Sequence, residues 1–151
     1  MIAESDVARQ GSRVKDDAVS KGQRVTAIPV EFAATVVGGQ PATVDRDGFV
    51  GYLFGLAARA DGSEGCLIVQ RADEPVPEWQ PYCLVWGEQE GTTYGGVCRA
   101  DVSDGEVTFE LLRHNAAELG TPTRFRIVFP PRHTEEVRAG LRRTLGDSVV
   151  S

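Results

Sequence analysis

Long hydrophobic runs, lysines and nucleotide-binding motifs are scarce or absent in this chain of 151 residues. No stretch approaches the ~18 consecutive apolar residues that span a membrane, and the first residues lack the apolar run of a signal peptide. We therefore expect a cytoplasmic protein without membrane contact. The two lysines, Lys15 and Lys21, come before both glycine pairs, so no loop that ends in glycine and lysine can hold a phosphate.

The chain also has few residues that bind metals. Its three cysteines, Cys66, Cys83 and Cys98, are far apart and form no Cys-x-x-Cys pair. The two histidines, His114 and His133, lack the short paired spacing of zinc sites. We expect three thiols that act as small core residues, with no metal and no cofactor.

Motifs for catalysis are equally scarce. There is no Gly-x-Ser-x-Gly elbow, and nothing local brings a cysteine beside a histidine. Four acidic residues could be considered as paired carboxylates, but they lie on predicted turns, where acids are usually solvated. These are Asp45, Asp47, Glu88 and Glu90. The sequence therefore predicts no catalytic residue.

Charge is unevenly distributed along the chain, which has a net charge of −6. Residues 41–110 carry four basic and thirteen acidic side chains, a net charge of −9, whereas residues 111–151 carry seven and four. An acidic middle argues against direct binding to nucleic acid, because phosphates attract clustered Lys and Arg. It is compatible with a basic partner, and equally with an acidic surface that only keeps the protein in solution.

Two regions can be separated by composition. Residues 1–24 have scattered charges and few large apolar residues, which is typical of a flexible arm. Residues 25–147 are predicted to form a single domain. Its first strand, in TAIPVEFAATVV, would place Ile28, Val30 and Phe32 on one side and begin near the edge residue Pro29, with GGQP ending it.

The middle of the chain predicts two hairpins. FVGYLFGLAA and CLIVQR would form the first, and YCLVW with TTYGGV the second. A two-residue turn at Glu90-Gly91 would place Cys83 opposite Cys98, whereas a longer loop would not, and both registers stay open. Gly95-Gly96 lies inside a predicted strand and is expected to bend that strand rather than to bind a phosphate.

The C-terminal third adds two alternating strands, EVTFELL and RFRIVF, and two helices. Asn115 is predicted to cap a short helix that ends at Gly120, and Thr134 to cap a final amphipathic helix that ends at Gly146. Short turns between strands and late helices predict an α+β fold, with a mostly antiparallel sheet packed against the C-terminal amphipathic helix.

One segment between the hairpins is a candidate binding loop. ADEPVPEWQP contains Pro75 and Pro77, which interrupt both helix and strand, so it should be an exposed loop. It carries Asp73, Glu74 and Glu78 beside Trp79. The tryptophan either anchors a partner or packs back on the core.

The order and spacing of these segments resemble a known family. LIVQR, the acidic loop, YCLV, TTYGGV, VTFELL, AAELG and GLRRTLG follow one another as in the immunity protein 10 family of bacterial polymorphic-toxin systems. The resemblance extends over residues 49–145, and Tyr82-Cys83 and Tyr94-Gly95-Gly96-Val97 are its most specific parts.

The resemblance implies a small, non-enzymatic antidote that binds a cognate secreted toxin domain and protects the producing cell. It brings no toxin-contact residues, so these follow from charge and aromatic character alone. We expect a basic toxin, such as a nuclease, to contact Asp73, Glu74, Glu78, Trp79, Glu88, Glu90 and Tyr94. The alternative is a small-molecule-binding or regulatory α+β domain with FVGYLFGLAA lining a pocket. The oligomeric state is open.

Overall fold

A computed structural model describes residues 28–44, 49–73, 82–87 and 91–151. The predicted arm at residues 1–24 lies outside this part, as do residues 74–81 and 88–90. The described strands are β1 (Val30–Ala33), β2 (Val36–Val44), β3 (Phe49–Ala57), β4 (Cys66–Ala72), β5 (Cys83–Trp86), β6 (Gly91–Tyr94), β7 (Val97–Ser103), β8 (Glu106–Leu111) and β9 (Arg124–Val128). The described helices are α1 (Arg113–Leu119) and α2 (Thr134–Leu145).

Strands β2 to β6 form an antiparallel five-stranded sheet in sequence order. Side chains alternate across this sheet, so one face collects its large apolar residues. Phe54, Val69 and Leu84 are neighbours on that face and are almost completely buried. We call this the inner face. The predicted hairpin of β3 and β4 is confirmed.

The second sheet has four strands in the order β1-β9-β8-β7. Its edge strand β1 runs parallel to β9, and its other pairs are antiparallel. The alternation predicted for EVTFELL is confirmed in β8, where Val107, Phe109 and Leu111 are buried. β1 begins directly after Pro29 at a sheet edge, as expected for proline.

The N-terminal segment does not form the single strand that the sequence predicted. It crosses between the sheets at Ala34 and Thr35. Ala34 N–H donates to Val128 O in the four-stranded sheet (2.7 Å), and Thr35 N–H donates to Ala57 O in the five-stranded sheet (2.9 Å). GGQP does not end a strand but lies inside β2, an edge strand that tolerates Pro41. The pairing register shifts after Val30, which is exposed, whereas Phe32 is buried. The prediction of one common side was therefore wrong.

The core lies between the sheets and α2. Trp86 of β5 contacts two rings of the other sheet, with centroids 5.7 Å from Phe32 and 5.4 Å from Phe125. Helix α2 packs its buried residues Val137, Leu141 and Leu145 against the same space. The α+β class and the packed C-terminal helix are confirmed, with the strands divided into two sheets rather than one.

Both helix starts differ from the prediction, and both helix ends are confirmed. Asn115 does not cap α1: the helix starts at Arg113, and Asn115 is buried inside it. A 3₁₀ turn, Pro131–His133, precedes α2, so Thr134 is helical and its hydroxyl instead donates to Pro131 O (2.7 Å). Gly120 and Gly146 follow the last helical residues, where glycine accommodates positive φ.

The chain continues past α2 and returns to the four-stranded sheet. Val150 is buried and lies beside Ala100 of β7 in a parallel bridge. Ala100 N–H donates to Val149 O (2.8 Å), and Ser151 N–H donates to Ala100 O (3.1 Å). These bonds occupy part of the edge that β7 presents.

Candidate partner-binding site

Two of the seven predicted contact residues, Asp73 and Tyr94, lie in the described part of the chain. Asp73 follows β4, is exposed, and donates its N–H to Val50 O (2.8 Å). Tyr94 is the last residue of β6 and is 40% exposed. The other five, Glu74, Glu78, Trp79, Glu88 and Glu90, lie outside the described residues.

The strand register relates these positions to one another. Gln70 opposes Cys83, and Cys83 opposes Tyr94, so β4 ends, β5 begins and β6 ends at one end of the five-stranded sheet. Asp73 and Tyr94 therefore share that end, from which the chain enters residues 74–81. Trp86 pairs with Gly91 at the other end, about 10 Å away along the short β5, where the chain enters residues 88–90.

The register also decides between the two alternatives for the second hairpin. Cys83 faces Tyr94 and not Cys98, so the longer loop is the one formed. Cys66 and Cys83 are buried as expected, but Cys98 is exposed on the edge strand β7, contrary to the prediction. Burial raises the pKa of the Cys66 thiol and raises that of Cys83 to about 11. Both thiols are therefore protonated and unreactive at neutral pH.

Tyr82 and the paired glycines form the corner at which the chain leaves one sheet for the other. Tyr82 is buried, its carbonyl accepts from Gly95 N–H (2.9 Å) and its hydroxyl accepts from Val97 N–H (2.9 Å). Burial raises the pKa of Tyr82. Gly95 and Gly96 have φ of 73° and 90°, which favour glycine. The prediction that they lie inside one strand was wrong: Gly95 and Gly96 lie between β6 and β7, which belong to different sheets, so they turn the chain from one sheet to the other.

Helix α1 supports this corner through Asn115. Its Nδ2 donates to Thr93 Oγ1 (2.8 Å) and Tyr94 O (3.3 Å), and Thr93 donates to Glu118 Oε1 (2.6 Å). Within the described part of the chain, Asn115 Oδ1 is buried without a hydrogen-bond partner. A Cβ on Gly96 would overlap Asn115. The sequence had indicated Asn115 only as a helix cap, because its partners lie about twenty residues away in β6.

A second set of contacts missed at the sequence level involves arginines. Arg71 donates to Thr144 O at the C-terminal end of α2 (2.9 Å), and the Arg143 guanidinium lies 4.1 Å from the Tyr52 ring centroid. The positive charge of Arg71 is stabilised by the carbonyl groups at the helix C-terminus, and that of Arg143 by the face of the aromatic ring. Alternation in CLIVQR, which places Arg71 on the same side as Leu67 and Val69, was the available signal.

Some acids of the middle region have basic partners. Glu106 pairs with Arg126 (2.9 Å) and Asp101 with Arg99 (2.8 Å). Hydrogen bonds from the side chain and backbone of Ser63 lower the pKa of Asp61. An arginine partly compensates Glu106 and Asp101, whereas Ser63 keeps Asp61 charged. Residues 73–90 carry five acidic side chains and no basic one.

The described residues also bear on other classes of site. Among them, no group of three or more His, Cys, Asp or Glu could hold a metal ion. Phe54 and Leu56 of β3, the segment considered as a pocket lining, are instead buried in the core, and Phe54 lies against Gly140 of α2. Within the same ranges, no helix has the length and apolar character needed to cross a membrane.

Comparison with known proteins identifies the family. Searches of curated proteins and of solved structures give no match. The family model described as Immunity protein 10 matches residues 40–137, which is well over half of the chain. The matched region includes the corner residues Tyr82, Gly95 and Gly96, so the family pattern coincides with contacts that join the two sheets. The chain therefore belongs to the immunity protein 10 family.

Proposed function

We propose that this protein binds a cognate secreted toxin domain directly and neutralises it in the cytoplasm of the producing cell, without catalysing a reaction. Membership of an immunity protein family carries the proposal, because such proteins generally act on a toxin and are generally non-enzymatic.

The toxin-facing surface in this proposal is the end of the five-stranded sheet that carries Asp73 and Tyr94. Asp73 is exposed there, and the sequence that follows it adds Glu74, Glu78 and Trp79. Negative charge attracts a basic toxin over several ångströms and speeds encounter. Trp79 and the exposed ring of Tyr94 supply the apolar contact that slows dissociation. Glu88 and Glu90, which follow β5 in the sequence, add two further negative charges.

Co-expression with the toxin domain encoded beside this chain tests the proposal. We expect restored growth of cells that express the toxin domain, together with co-purification of a complex. Absence of both rescue and complex would contradict neutralisation by direct binding.

A charge-reversed variant tests the electrostatic part. Replacing Glu74, Glu78, Glu88 and Glu90 with lysine should lower the association rate with a basic toxin about tenfold or more at low salt. The difference should shrink at about 1 M salt, where charges are screened within roughly 3 Å. The matched control reverses four acids elsewhere, namely Glu64, Asp104, Glu110 and Asp147. Equal association rates for the two variants and the unmodified protein at low salt would contradict charge-guided binding.

A further inference from the structure

The described elements that pack on the five-stranded sheet all lie against its inner face. Helix α2 contacts it through Gly140 and Phe54, and α1 through Asn115 and Thr93. The four-stranded sheet contacts it through Trp86, which shares the side of Leu84. The opposite side, the outer sheet face, is covered by no element in the described part of the chain.

Two rows of cross-strand neighbours form the centre of this outer sheet face. One row is Gly38, Gly55, Ile68, Val85 and Thr92, and the next is Gln40, Leu53, Gln70, Cys83 and Tyr94. Neither row contains a charged residue. Ile68, Val85 and Leu53 are half-buried, and the smaller Cys83, between Gln70 and Tyr94 in the second row, is buried. Gly38 and Gly55 beside them leave room for another surface to approach closely.

Absence of charge on this face contrasts with the rest of the chain. The chain has a formal net charge of −6, and about a quarter of its residues are charged. An antiparallel sheet with one solvated face normally alternates apolar and charged or polar residues. Ten adjacent positions without charge, with glycines or apolar side chains at four of the five in the first row, are typical of a surface that is covered in the functional state.

We propose that the outer sheet face binds the same face of a second copy of this chain, so that the protein forms a two-fold symmetric dimer. Charge supports this occupant: two copies of net charge −6 repel, and an uncharged face lets them meet without burying or opposing like charges. A two-fold interface brings the same patch of each copy together, and a patch without charges can meet itself without repulsion.

The size of the face fits a modest dimer interface. Five strands spaced about 4.8 Å apart and about seven residues long cover roughly 500–600 Å². Two such faces packed about 10 Å apart, as in a β-sandwich, bury on the order of 1,100 Å² in total. This lies near the lower limit of specific protein interfaces, a size typical of weak and reversible association.

A basic toxin is the less suitable occupant for this face. The proposed toxin contact depends on acidic residues that steer a positively charged partner, and the two central rows provide no charge for that purpose. The dimer and the toxin complex therefore use different parts of the surface, with Tyr94 at the boundary between them. The dimer inference does not depend on the toxin proposal.

Sedimentation equilibrium of the full chain tests the dimer. Over about 1–200 μM the mass should rise from that of one copy towards that of two. Val85→Glu and the milder Thr92→Glu each place a negative charge in the first row and should weaken the dimer about tenfold or more. The control is Val50→Glu, an exposed position (53%) on the same sheet whose side chain lies on the other side. It should leave the mass curve unchanged.

Thermal unfolding by circular dichroism establishes that each variant is folded, and Thr92→Glu carries the test if Val85→Glu does not fold. A dimer that dissociates in the face variants but not in the control supports the proposal. A monomer throughout the range overturns it, as does a dimer that all three variants leave intact or weaken equally. A monomer whose toxin complex is lost in the face variants also overturns it and assigns the face to the toxin.

Discussion

At the residue scale, the contacts around Gly95 and Gly96 hold the corner at which the chain passes from one sheet to the other. Tyr82 bonds the backbone on both sides of the glycine pair through its carbonyl and hydroxyl. Asn115 fills the space beside Gly96 and bonds the end of β6. These residues fix the angle between the two sheets, so their substitution should affect stability before it affects binding.

Gly96→Ala should be much more destabilising than Gly62→Ala. Both glycines have similar positive φ, 90° and 84°, so alanine meets the same backbone strain of about 1–2 kcal/mol at each position. A Cβ at Gly62 meets no atom, whereas at Gly96 it overlaps Asn115. The overlap should add about 1–3 kcal/mol. Urea unfolding of the two variants measures the difference, and equal losses would show that Asn115 does not define this corner.

The Cys83 thiol should make stability fall with rising pH. Its folded pKa is raised to about 11 from an ordinary value of 9.0, so between these values the unfolded chain has lost a proton that the folded chain keeps. Stability from this group is therefore complete below pH 9 and decreases as pH rises towards 11, by roughly 2 kcal/mol. The free energy of unfolding, measured for the protein and for Cys83→Ala at several pH values, isolates this contribution. A difference that stays constant from pH 8 to 10.5 would contradict burial as its cause.

At the scale of elements, local patterns predicted the strands well and their arrangement poorly. The alternation in β8 and β9 and the hairpin of β3 and β4 depend on residues that are close in the sequence, so the local pattern was sufficient to predict them. Whether a strand stays in its sheet depends on distant partners. The crossing at Ala34 and Thr35 needs carbonyls of β9 and β3, which no local pattern reveals. For the same reason the local sequence predicts a strand end at Gly38 to Pro41, although these residues lie inside the edge strand β2.

The sequence predicts only part of the candidate site. Asp73 is exposed directly after β4, as predicted, and the rest of the predicted loop, residues 74–81, lies outside the described residues. The Asn115, Thr93 and Glu118 contacts were missed because they connect a helix with a strand more than twenty residues earlier. The uncharged outer sheet face was also missed, since it emerges only when five strands are placed side by side in register.

Helix α2 packs closely on the five-stranded sheet because residue 140 is glycine. A Cβ there would overlap the ring of Phe54, which is almost completely buried. Gly140→Ala usually favours a helix by about 1 kcal/mol, yet here we expect a net loss of about 1–3 kcal/mol from overpacking. Phe54→Leu in the same chain should recover part of that loss, and thermal or urea unfolding of the single and double variants measures it. A stabilised Gly140→Ala protein would contradict the close contact.

At the scale of the whole molecule, the division into an arm at residues 1–24 and a domain that begins at residue 25 stays a prediction. β1 begins at Val30, and the earliest described contact is from Arg126 Nε to Ile28 O (3.3 Å). Removal of residues 1–24 should therefore change the thermal midpoint by less than about 2 °C. Removal of residues 1–33 is the control, because it also deletes β1 and the buried Phe32 and should lower the midpoint clearly. Equal losses in the two shortened chains would show that the arm belongs to the domain.

The parallel pairing of β1 with β9 has a consequence for folding during synthesis. β1 is made long before its partner at residues 124–128, so β1 must wait unpaired while the intervening chain is translated. At about 5–20 residues per second this wait is on the order of ten seconds. The four-stranded sheet, and with it the proposed protection, is thus completed only after β9 has been made. A ribosome that stalls after β8 would release a chain with an incomplete sheet, whose β8 lacks its partner β9.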